Sequence, residues 1–76
     1  MLFQGMEIEN GKELQPGNFY YLVRRPSRTV NKRDGTTKEQ PRVRALPNGE
    51  TPPEDSIGKI RVFRDRMGRH RAEAAR

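Results

Sequence analysis

Apolar side chains come in three short blocks, and each block has the spacing of a strand rather than a helix. The first is "FYYLVRR", residues 19–25, rich in aromatic and β-branched side chains. Alternation puts Phe19, Tyr21 and Val23 on one face and Tyr20, Leu22 and Arg24 on the other. The second is "RVRAL", residues 42–46, with Val43 and Ala45 inward and Arg42, Arg44 and Leu46 outward. The third is "IGKIRVFRD", residues 57–65, with Ile60 and Val62 pointing one way and Arg61, Phe63 and Asp65 the other. The expected fold is therefore small and mostly β: a three-stranded antiparallel sheet with one apolar face. That face would collect Phe19, Tyr21, Val23, Val43, Ala45, Ile60 and Val62, with Leu14, Leu46, Ile57 and Met67 wrapping its edges. Three strands with one apolar face lie near the lower limit of independent stability.

The connections are polar. Pro26 ends the first strand because it has no N–H for a ladder. Asp34-Gly35, inside "SRTVNKRDGTTKEQP", is a type I′ turn pair, both of whose central positions need φ > 0. Two readings fit it: a hairpin with Thr29-Val30 opposite Thr36-Thr37, or a mobile basic loop. Pro47-Asn48-Gly49 reads as a turn, and "ETPPEDS" as an extended acidic stretch stiffened by Pro52 and Pro53.

The ends carry weaker patterns. Met6, Ile8 and Leu14 are too sparse for a helix, so residues 6–18 read as a flexible, disordered N-terminal arm closed by the Pro16-Gly17-Asn18 turn. Gly68 interrupts the third block. The Arg-rich C-terminal tail after it, "RHRAEAAR", could extend as a short helix but is too short to hold one alone. "LFQG" is similar to the core of a viral protease site, which makes residues 1–5 an expression remnant with Met6 as the start. The expected organisation is then 1–5 remnant, 6–18 arm, 19–66 β domain and 67–76 basic tail.

Charge sharpens this picture. Sixteen Lys and Arg stand against ten Asp and Glu in 76 residues, a net charge of +6. All but Lys12 of the basic residues lie at or beyond Arg24, whereas Glu7, Glu9 and Glu13 make the start acidic. Such asymmetry suits a polyanion or an acidic protein patch. There is no Cys and one His, so neither a disulfide nor a Cys/His zinc site can form. No apolar run reaches the roughly 18 residues of a membrane span, so no membrane partner is expected.

Catalysis is not expected either. The chain has no G-x-x-x-x-G-K-[ST] phosphate loop and no Cys nucleophile. His70 sits between two arginines without an orienting carboxylate, and Glu54-Asp55 reads as a solvated loop. No catalytic residue, metal or cofactor is assigned. The partner-binding candidates are Tyr20, Arg24, Arg42, Arg44, Arg61 and Phe63 on the outward sheet face, with Arg64, Arg66, Arg69 and Arg71 in the tail. Guanidinium groups contact phosphates and aromatic rings offer stacking planes. The RNA-recognition-motif string is absent, and aromatics such as Tyr20 and Phe63 equally serve to cover a thin sheet.

"MEIENGKELQPGNFYYLVRR", the basic loop and the Arg-rich tail together resemble small phage-encoded RNA-polymerase-binding transcription regulators, of the type made by a Xanthomonas phage. The likeness lies in size, charge and general pattern rather than in a diagnostic motif. It implies a monomer in the host bacterial cytoplasm that binds RNA polymerase at the N-terminal region of β′. It also implies hindered promoter engagement and antitermination at the RNA exit channel, near nascent RNA. The alternative from the residues alone is a direct RNA-binding module using the Arg/aromatic sheet face.

Overall fold

The computed structural model describes residues 1–47, 49 and 51–75. The turn read at Pro47-Asn48-Gly49 includes Asn48 and so lies outside the described residues, as do Glu50 in the acidic stretch and Arg76 in the tail.

The three apolar blocks form β3 (Phe19–Asn31), β4 (Thr37–Pro47) and β5 (Ser56–Arg64). β3 pairs antiparallel with β4 on one side and β5 on the other. The mostly β class is as expected, but the sheet has six strands. The added ones are β1 (Leu2–Phe3), β2 (Met6–Ile8) and β6 (His70–Ala75), in the order β1-β2-β4-β3-β5-β6. The two edges, β1 and β6, approach each other, so the sheet curls into a nearly closed barrel-like form. Near-closure hides edges that a flat three-stranded sheet would expose.

Both ends of the chain correct the sequence-based expectation. The N-terminal arm contributes β2, which pairs parallel with β4 at Glu7–Arg42 and Ile8–Val43. Ile8 and Leu14 are both 2% exposed, so this segment supplies two core side chains. The intervening turn, Gly11–Glu13, is fixed by Asn10: its Oδ1 accepts from Ala45 N at 2.9 Å and its Nδ2 donates to Ala45 O at 2.7 Å. One amide side chain thus continues the ladder beside β4, satisfying both polar groups of a buried residue. Residues 1–5 take part too. Gln4 (φ 45°) and Gly5 (φ 81°) form the two-residue turn between β1 and β2, and Met1 and Phe3 pack against the core.

The tail is neither disordered nor helical: it is β6, antiparallel to β5 from Lys59–Ala75 to Arg64–His70. Asp65 makes this possible. Its Oδ1 accepts from the N–H groups of Met67 and Arg69, both at 2.9 Å, while Gly68 takes φ 77°. Gly68 therefore turns a hairpin instead of interrupting the fold. Alternation then places Ala72 against the core.

The core itself comprises Ile8, Leu14, Tyr20, Leu22, Val43, Ala45, Ile60 and Val62. β4 and β5 present the expected faces, but β3 is inverted: Tyr20 and Leu22 point inward, Phe19 and Tyr21 outward. "FYYLV" is apolar at every position, so alternation cannot choose its phase. The Tyr20 hydroxyl accepts from Gln15 N at 2.9 Å, which satisfies it beside the buried Leu14. On the outer side Lys59 covers Phe19 and Tyr21.

Beyond the barrel, β3 and β4 continue as a two-stranded ribbon. The register shifts between Arg25 and Arg28, where Pro26 interrupts β3, and pairing resumes from Arg28–Gln40 to Asn31–Thr37. The hairpin reading therefore holds over the loop, with Thr29 opposite Glu39 and Val30 opposite Lys38 instead of Thr36-Thr37. The turn is Lys32–Gly35, with Gly35 N donating to Lys32 O at 3.2 Å and Gly35 at φ 85°. Asp34 has no positive φ, so this is not a type I′ turn. Its geometry is that of a hairpin loop with glycine in the left-handed position.

Candidate functional site

Inversion of β3 redraws the outward face. Among the residues now sharing it are Phe19 and Tyr21 on β3, Lys59, Arg61 and Phe63 on β5, and Arg42 and Arg44 on β4, whereas Val23, on the same side of β3, is buried as expected. Opposed pairs make this explicit: Phe19 faces Arg61, Tyr21 faces Lys59 and Val23 faces Arg44.

Of the sheet-face candidates, Tyr20 is withdrawn, because it is 8% exposed and part of the core. Arg24 is exposed, but it opposes Val43 and so lies at the rim of the interior face, away from the others. Arg42, Arg44, Arg61 and Phe63 do share one side. Each arginine is already engaged. The Glu9 carboxylate takes Arg42 Nη2 at 3.1 Å, Arg44 Nη1 at 2.9 Å and Arg25 Nε at 3.1 Å. The Arg25 hydrogen bond leads in holding Glu9 below its ordinary value, partly opposed by desolvation, with Arg44 and Arg42 assisting. Three cations on one anion leave the cluster with a net positive charge. Arg61 Nε donates to Glu73 Oε1 at 2.8 Å across the β5–β6 pair.

The aromatic part of the face is built by cations lying over rings. Lys59 Nζ is 5.1 Å from the Phe19 centroid and 5.5 Å from that of Tyr21, and Arg61 Cζ is 5.4 Å from that of Phe63. Phe19 remains exposed. Rings and cations in this arrangement can take a partner's apolar side chain, a nucleobase or a negatively charged group. Phe19, Tyr21 and Lys59 were not identified from the sequence. The signal that could have found them was the four-residue apolar run after Phe19, which demands that one of two apolar rows face outward.

The tail arginines diverge. Arg71 Nε donates to Asp65 Oδ2 at 2.7 Å and so braces the β5–β6 turn. That bond leads in lowering the Asp65 pKa. Arg64, Arg66 and Arg69 are exposed and in no ion pair among the described residues. Among the described residues no group of three His, Cys, Asp or Glu is placed to hold a metal ion. No helix among them is long and apolar enough to cross a membrane.

Comparisons with protein families, with curated proteins and with solved structures find no match for this chain.

Proposed function

We propose that the chain is a non-enzymatic regulator that binds bacterial RNA polymerase and redirects transcription. The observation that carries this reading is the row of outward aromatics, Phe19, Tyr21 and Phe63, spread over two adjacent strands and bordered by Lys59 and Arg61. The core does not need these rings on the outside, and protein interfaces concentrate binding energy in such anchors. The resemblance to phage-encoded regulators supplies the partner: the N-terminal region of β′ in the host polymerase. There a small basic body would hinder promoter engagement and favour read-through at the RNA exit channel, by occupying surface rather than by catalysis.

The second reading is direct RNA binding by the same face, which the cation-over-ring pairs favour because bases stack on rings and phosphates seek cations. Titration of the labelled chain with purified polymerase, and separately with single-stranded RNA, decides between them. Polymerase binding that persists at high salt and falls at least tenfold in Phe19→Ala/Phe63→Ala supports the first. Tighter, steeply salt-dependent binding to RNA alone supports the second.

A further inference from the structure

The distal β3–β4 ribbon has two unlike faces. Opposed residues in an antiparallel pair share a side and neighbours alternate. One side therefore carries Arg28, Gln40, Val30 and Lys38, and the other Thr29, Glu39, Asn31 and Thr37. Both cations of the paired segment lie on the first side, and Lys32 and Arg33 stand at the tip. The acids make hydrogen bonds within the ribbon and keep their charge: Asp34 accepts from Thr36 N at 3.0 Å and Thr36 Oγ1 at 2.6 Å, and Glu39 accepts from Thr29 Oγ1 at 2.9 Å. Lys32, Arg33 and Lys38 are exposed and in no ion pair among the described residues. Among the described residues no other strand pairs with the ribbon, so both its edges are free there.

We infer that this ribbon is a nucleic-acid-binding arm that enters the major groove of double-stranded DNA and holds the flanking phosphates with Lys32, Arg33 and Lys38. Shape selects the duplex. Two strands about 4.8 Å apart fit a B-form major groove about 12 Å wide, which admits a two-stranded ribbon. The A-form major groove of RNA is too narrow for it. Charge selects the contact: Lys38 on one side and Lys32 and Arg33 at the tip are unpaired, and with Asp34 at the tip and Glu39 on the other side the ribbon still keeps an excess of positive charge. Gln40, on the cation side, is held at the base by its Nε2 donating to Gly5 O at 2.8 Å, which leaves Asn31, on the other side near the tip, as a hydrogen-bonding group suited to base edges. Extension of the ribbon by a strand from a protein is disfavoured, because Pro26 and Pro41 interrupt both edges at its base. The inference is independent of the polymerase reading, since it uses other residues and a different ligand.

The test is fluorescence anisotropy of the intact chain with a 20-bp DNA duplex, the same sequence as RNA duplex, and a 20-nucleotide single-stranded RNA. The parent is expected to bind the DNA duplex in the non-specific range, Kd about 10⁻⁶–10⁻⁴ M, ahead of the RNA duplex. Lys32→Gln/Arg33→Gln/Lys38→Gln should weaken this at least tenfold and flatten the slope of log affinity on log salt by up to about 2.7, or 0.9 per lost contact. Its melting temperature and its binding to purified polymerase should be unchanged. Lys32→Arg/Lys38→Arg should bind DNA within about twofold of the parent, because a phosphate contact needs charge rather than a particular head. Four results overturn the proposal. The first is no binding of duplex DNA by the parent. The second is parent-like DNA binding by the triple Gln variant. The third is loss of binding in the Arg variant equal to that in the Gln variant, which would make the effect structural. The fourth is loss of polymerase with retention of DNA in the triple Gln variant, which would make the ribbon a protein contact.

Discussion

β3 and β4 pass through two environments, and the same pair of strands behaves differently in each. From Tyr20 to Val23 and from Val43 to Leu46 they are the middle of a six-stranded barrel-like sheet, flanked by β5 and β2, with alternate side chains sealed in the core. From Arg28 to Asn31 and from Thr37 to Gln40 they pair only with each other, and nearly every residue is exposed. Hydrogen-bond ladders are common to both halves, so they do not explain the difference in burial. Packing does: isolated two-stranded ribbons are marginal in water, and barrels are not. Stability is thereby concentrated in one half, leaving the other free to carry charge.

A carboxylate placed in each half should have opposite consequences. Val62 is completely buried in β5, and an unpaired carboxylate there costs several kcal/mol, on the order of the whole stability of so small a fold. Val62→Asp is expected to collapse the amide dispersion in a proton–nitrogen NMR spectrum. Val30→Asp, in the ribbon, should leave the dispersion of β5 and β6 intact. Native-like spectra from both variants would show that burial does not locate the stability.

Asn10→Ala comes next. It removes the partners of both Ala45 polar groups, and the cost should be about 1–3 kcal/mol, as for a buried group left unsatisfied. Urea unfolding should show a lower midpoint with an unchanged slope. Loss of less than about 0.5 kcal/mol would mean that water replaces the amide freely.

Acid should act on the barrel half through Glu9 and Asp65. Both have folded-state pKa values below their ordinary 4.5 and 3.8, so the unfolded chain binds more protons in that window. Their stabilisation is therefore present above the unfolded values and is lost as pH falls through the folded ones. Melting temperature should drop below about pH 4.5, and Glu9→Gln/Asp65→Asn should start lower and show a shallower acid decline. A parallel decline in the variant would assign acid sensitivity to other carboxylates.

How much of this was readable beforehand depends on whether a local rule had one answer. Val43/Ala45 and Ile60/Val62 alternate with arginines, lysine or glycine, so their faces were legible from spacing alone. "FYYLV" satisfied either phase, and the choice came from what Leu14 and Lys59 do in three dimensions. That one ambiguity moved Tyr20 into the core and brought Phe19 and Tyr21 out. β2 and β6 were hidden for a different reason. A three-residue strand has no period to detect, and the alanines of β6 suit a helix until Asp65 and Gly68 turn the chain back on β5. The engagement of Arg42 and Arg44 by Glu9 needed the parallel β2–β4 pairing, a contact more than thirty residues apart in the chain.

The smallest expected effect on global stability lies at the ribbon tip. Asp34 closes the ribbon tip through Thr36, with the side-chain hydroxyl contact leading in lowering its pKa. Asp34→Ala removes both bonds and so loosens the turn at the ribbon tip. In the barrel that would lower the melting temperature measurably. In the ribbon it should not, because side-chain ties to the rest run only through Arg28–Glu7 and Gln40–Gly5 among the described residues. The cost should appear locally instead, as weaker cross-strand NMR contacts between Asn31 and Thr37 and faster amide exchange from Arg28 to Gln40, with β5 and β6 unchanged. The parent should lose the same ribbon order on acidification below about pH 3.8, since protonation of Asp34 weakens both bonds. A melting temperature several degrees lower in Asp34→Ala would show that ribbon and barrel unfold as one unit. The free ribbon would then be an extension of the core rather than an arm with a stability of its own.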